Sequence, residues 1–118
     1  MTHSASTATW LALALALGAC ASDDGVVTEF DYSAGLVEVE VLGDGFVRVD
    51  DRRIPLEALV LELRQATRAM ARSELLRYVV RVRLAKVRSG EAARSQQGSR
   101  ARLLNELEIM GVRQIVYL

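Results

Sequence analysis

The stretch from Leu36 to Asp50 constrains the fold of this chain more than any other. Val37, Val39 and Val41 alternate with Glu38 and Glu40, and Val47 and Val49 flank Arg48. A period of two puts the valines on one side of an extended chain and the charges on the other, as in a half-buried strand. Gly43-Asp44-Gly45 separates the two runs. Asp-Gly between alternating runs signals a hairpin, because its turn needs positive φ. A lone hairpin is marginal in water, so its apolar face needs a second layer to cover it.

The rest of the sequence supplies that layer. Asp51-Arg52-Arg53 reads as a second turn, and Pro55 opens a helix, where its missing N–H costs nothing. Leu56, Leu59, Val60, Leu63, Thr67 and Met70 recur at helical spacing. Glu57 in the first turn and Arg64, Arg68 and Arg72 in later ones suit the helix dipole. A third strand is predicted from Leu76 to Leu84, with Tyr78, Val80, Val82 and Leu84 on one face. Residues 85–98 read as a polar, flexible loop. A last helix is predicted from an N-cap at about Ser99 through Leu103, Leu104, Leu107 and Met110, with Gly111 ending it in a left-handed conformation. A terminal strand from Val112 to Leu118 closes the chain. The predicted order is β-β-α-β-α-β: an α+β two-layer sandwich with two helices on one face of a four-stranded mixed sheet. A length of 118 residues fits one domain, placed at 36–118.

The N-terminus reads as an address. Trp10 to Leu17 form an apolar run that ends at Gly18-Ala19-Cys20 and meets the polar Ser22-Asp23-Asp24-Gly25. A bilayer core needs roughly 20 apolar residues in a helix, so this run is too short to span one and fits a signal peptide over 1–19. Leu17-Gly18-Ala19-Cys20 resembles a bacterial lipobox, which implies lipidation of Cys20, a tether over 20–35 and a membrane anchor facing the periplasm. Ala21 and Ser22 after the cysteine favour the outer membrane over the inner one by the same resemblance. A plain secretory signal and an uncleaved short anchor remain the alternatives.

Four further segments carry a resemblance. Val39 to Asp50 with its Asp-Gly turn, Ile54-Pro55-Leu56 leading into a helix, and Leu103 to Val116 with its glycine stop follow one another in the order of the periplasmic domain of the ExbD/TolR family of biopolymer-transport proteins. Val79 to Leu84 resembles that family's third strand. The resemblance covers roughly residues 36–118. It implies a non-enzymatic cell-envelope component that binds partner proteins or peptidoglycan, in a complex for transmembrane transport or envelope integrity. The family's proton-handling Asp lies in a transmembrane helix, and no Asp stands between Trp10 and Cys20. Proton translocation is therefore assigned to no residue here. A free-standing envelope lipoprotein, acting as a scaffold without a motor, is the alternative.

Charge and side-chain inventory narrow the function further. Formal net charge is zero and the aromatics number six, which argues against nucleic acid as a partner. The charge is segregated: residues 20–62 hold eleven acids and three bases, residues 63–118 four acids and twelve bases. The plainer explanation is pairing across the sheet, Glu38 and Glu40 with Arg48, Arg81 and Arg83. The sharper one is a basic loop, Lys86, Arg88, Arg94, Arg100 and Arg102, that meets an anionic envelope partner. No His follows His3 and no Cys follows Cys20, so no nucleophile–histidine arrangement is available, and neither a catalytic site, a metal nor a cofactor is expected. The terminal strand with Tyr117 is a candidate sheet edge for a partner strand, including a homodimer.

Overall fold

A computed structural model describes residues 30–118. The signal peptide, Cys20 and the tether as far as residue 29 lie outside the described residues. A 3₁₀ turn, Tyr32–Ala34, leads into β1 (Leu36–Val41), β2 (Phe46–Val49) and β3 (Arg52–Pro55). Then come α1 (Leu56–Arg68), α2 (Arg72–Arg77), β4 (Val79–Leu84), α3 (Gly90–Met110) and β5 (Gln114–Tyr117). The sheet order is β3-β2-β1-β4-β5. β1, β2 and β3 pair antiparallel, whereas β4 runs parallel to both β1 and β5. The class is α+β, with a mixed sheet.

The valines sort as their alternation predicts. Val37, Val39, Val41, Val47, Val49, Val80 and Val82 are all buried on one face of the sheet, in register Val37↔Val80 and Val39↔Val82. Leu56, Leu59, Val60 and Leu63 from α1, and Leu103 and Leu107 from α3, join them in one core. The opposite face carries Glu38, Glu40, Arg48, Arg81 and Arg83.

The sheet has five strands and the domain three helices, not four and two. The extra strand, β3, occupies the residues expected to turn; the turn itself is Asp50–Asp51, both at positive φ, which aspartate tolerates better than most residues. Arg52-Arg53-Ile54-Pro55 lacks an apolar alternation because it is an edge strand, where charge and proline are tolerated. Pro55 accordingly ends β3 and stands at the N-cap position of α1, outside the helix and without a capping hydrogen bond. The extra helix, α2, buries no side chain, so no apolar stripe announces it.

The last helix begins at Gly90, nine residues before Ser99. The Ser89 hydroxyl caps it by accepting the Ala92 N–H at 3.0 Å. Its first half reads as polar because Gln96 and Ser99, and not leucines, face inward. Gln96 Nε2 donates to the Val41 carbonyl at 3.0 Å and to the Ala85 carbonyl at 2.6 Å, which ties α3 to the ends of β1 and β4. Gly111 adopts φ 96° at the helix C-terminus, as expected. Residues 30–35, assigned to the tether by sequence, pack on the domain: Tyr32 is buried and its hydroxyl donates to Glu62 Oε1 at 2.7 Å.

Candidate partner-binding surfaces

Three surfaces follow from this arrangement. The open face of the sheet comes first. Strand register sets Glu40 opposite Arg48, and Glu38 opposite Arg81. Glu40 meets Arg48 at 2.6 Å, and Glu38 meets Arg83 at 3.0 Å and Arg81 at 3.8 Å. The hollow above them, about 320 Å³, is lined by Phe30, Glu38, Glu40, Arg48, Asp50, Asp51 and Arg83. Its arginines are already answered by its glutamates, whereas among the described residues only Arg81, Arg83 and Arg102 of the basic half pair with an acid of residues 20–62. Exposed pairs of this kind contribute about 0–1 kcal/mol each.

The basic residues do not form one loop. Lys86 and Arg88 lie in the connection after β4, whereas Arg94, Arg100 and Arg102 stand on α3. Arg102 grips Glu57 of α1 through both guanidinium nitrogens, one at 3.0 Å. That contact holds the Glu57 carboxyl below its ordinary value. Arg100 donates to Gln97 Oε1 at 2.7 Å. Among the described residues Lys86, Arg88 and Arg94 make no ion pair. Of the five basic residues only Arg102 is held in an ion pair; Arg100 makes none and keeps its charge beside Gln97.

The sheet edges form the third surface, and they differ sharply. At β3, Arg52 donates to Glu62 Oε1 at 2.8 Å, Arg53 pairs with Asp44 and lies 3.9 Å above the Phe46 ring, and Pro55 ends the strand. Charges and a proline blunt that edge. At β5 the Leu118 N–H donates to the Val82 carbonyl at 2.9 Å. Main-chain groups of successive residues point to alternate sides of a strand, so Gln114, Val116 and Leu118 face β4. Ile115 and Tyr117 turn their N–H and C=O groups outward. Val116, Tyr117 and Leu118 are exposed there, Tyr117 at 60%. Gln114 Nε2 fixes the start of the strand on the Leu76 carbonyl at 2.9 Å.

Two buried tyrosines behave differently. Tyr32 shares Glu62 with Arg52, and burial followed by that glutamate pushes its hydroxyl pKa upward. Tyr78 is 1% exposed and its hydroxyl has no hydrogen-bond partner among the described residues. Burial, then the charge of Asp31, pushes it up to about 12 from 10.0. Tyr78 thus stays protonated in the fold while the unfolded chain ionises, so stability is full below pH 10 and drains as pH rises through about 12. Tyr78→Phe is expected to flatten part of that alkaline loss in urea titrations. At pH 7 it is expected to be neutral or stabilising by up to about 1 kcal/mol, since an unanswered buried hydroxyl is removed.

Among the described residues no group of three or more His, Cys, Asp or Glu side chains is placed to hold a metal ion, and no helix is long and apolar enough to cross a membrane. No protein-family model matches the chain, and no curated protein matches it significantly.

Sequence reasoning missed the pair between Arg64 and Glu106, at 2.7 and 2.8 Å, in which Glu106 is buried. Its signal was present only as a charge on the apolar stripe of each helix. The role of Gln96 carried no signal at all in the periodicity.

Proposed function

We propose that this chain is a non-enzymatic cell-envelope component resembling the ExbD/TolR biopolymer-transport family, working by binding partner proteins or cell wall in a transport or integrity complex. Cys20 anchors it to a membrane by lipidation, and the domain faces the periplasm. The observation that carries the reading is the contrast between the two sheet edges. β3 is closed by paired arginines and Pro55, while β5 presents the outward main-chain groups of Ile115 and Tyr117 beside exposed apolar side chains. An edge of that kind accepts a strand, from a partner or from a second copy. The hairpin with its Asp-Gly turn, the passage through Pro55 into α1, and the final helix, glycine and strand support the resemblance. A scaffold without a motor is the second reading, favoured by the lack of any Asp in the apolar run Trp10 to Leu17.

Proline at an outward position tests the edge without breaking the β4–β5 ladder, because Tyr117 N–H points away from β4. Tyr117→Pro is expected to abolish chemical cross-linking of the protein in envelopes, to itself or to a partner, with circular dichroism unchanged. Cross-linking that persists at full yield removes the edge from the proposal. A protonophore then separates the two readings: a motor component changes its cross-linking pattern when the proton gradient collapses, and a scaffold does not.

A further inference from the structure

We infer that the outer groove between α1 and α3 docks an acidic amphipathic helix from a partner protein. The two helices run parallel, since Glu57 pairs with Arg102 and, further along both, Arg64 pairs with Glu106. Beyond the second pair the groove widens into a hollow of about 410 Å³ lined by Arg64, Thr67, Arg68, Glu106, Ile109 and Met110. Ile109 is 71% exposed there. Leu61, also exposed, lies three residues before Arg64 and therefore on the same stripe of α1. Ile109 thus faces solvent in the hollow itself and Leu61 on the adjoining outer stripe of α1, in a domain whose other leucines and valines are mostly interior.

The chemistry of the occupant follows from charge and main-chain geometry. Glu57 cancels Arg102, and Glu106 cancels Arg64. Arg68 makes no ion pair among the described residues, so the groove keeps a positive charge beside its apolar floor. A carboxylate on the occupant answers Arg68. Helix interiors have no free main-chain groups to pair with a strand, whereas a third helix sets apolar residues three and four apart into such a groove. This surface is separate from the β5 edge, so either proposal stands or falls without the other.

The test uses the full chain and two synthetic peptides of about 16 residues, long enough to be helical. Both carry leucines at helical spacing; one has glutamates at the flanking positions, the other lysines. Fluorescence anisotropy is expected to show the glutamate peptide binding at least about tenfold more tightly. Arg68→Glu is expected to reverse that preference. Ile109→Ser is expected to weaken the glutamate peptide about tenfold, with the fold intact because the side chain is exposed. Tyr117→Pro is expected to leave peptide binding unchanged. Equal affinity for the two peptides, or an unchanged preference in Arg68→Glu, overturns the inference. Loss of binding in Tyr117→Pro reassigns the peptide to the β5 edge and also overturns it. A dimer in sedimentation that Ile109→Ser dissociates makes a second copy the occupant and rejects the partner helix.

Discussion

Leu103→Ala is expected to destabilise the protein by about 2–5 kcal/mol, read as a lower urea midpoint with an unchanged slope. Leu103 is 0% exposed, on the side of α3 that meets both α1 and the valine face of the sheet. Truncation loses the transfer free energy of its methyl groups and leaves a cavity among Val, Leu and Tyr side chains already packed in regular elements, which relax little. Domains of this size are stable by roughly 5–15 kcal/mol, so one substitution removes a large share. Melting is expected to fall by about 10 °C or more. The matching control is Leu61→Ala on α1, an exposed leucine on the outer stripe, expected to stay within about 0.5 kcal/mol. Both leucines stand in helices with apolar spacing; what separates them is the direction in which each helix presents its stripe.

That comparison shows which layer of the structure was legible in the sequence. Alternation located β1, β2 and β4 because each has one face on the core and one on solvent, and a period of two survives there. The leucine stripe located α1 for the corresponding reason. The same logic is blind where burial is achieved without large apolar side chains. β3 is an edge built from Arg52, Arg53, Ile54 and Pro55, and the first half of α3 buries Gln96 and Ser99. Gln96 is answered by the Val41 and Ala85 carbonyls, and hydrophobic periodicity does not count such a residue.

The surfaces show a second kind of limit. Glu38, Glu40, Arg48, Arg81 and Arg83 were legible as one charged face because register follows from alternation. Arg102 was not legible: it counted as part of a patch, yet it is tied to Glu57, 45 residues away, by the parallel packing of two helices. No local rule brings those positions together. The open edge at β5 lies between these cases. A terminal strand was expected and named as a candidate edge, but the β1–β4 and β4–β5 parallel pairings that set it at the border of the sheet are nonlocal. Surface charge assigned from sequence is thus an upper bound on what a partner meets.

Gly43→Val is expected to cost about 3 kcal/mol and to displace the start of α3, while Gly45→Ala, two residues on, is expected to cost about 1 kcal/mol and leave α3 in place. Both glycines belong to the turn that the sequence marks, yet they do different things. Gly45 has φ 84° with nothing within 4 Å of a built Cβ, so a side chain there meets backbone strain alone. Gly43 has no positive φ. A Cβ on it falls 2.9 Å from Ala92 Cβ and from Val87 Cγ1, and 3.3 Å from the Ala92 carbonyl oxygen. The crowding atoms include helix backbone, held by the Ser89 cap and by Gln96 on the strand ends, so the first turns of α3 must move as a body. Amide exchange tells the outcomes apart. Faster exchange confined to residues 89–96 in Gly43→Val, and absent in Gly45→Ala, is the expected result; equal effects from the two substitutions would mean that α3 does not rest on the hairpin turn.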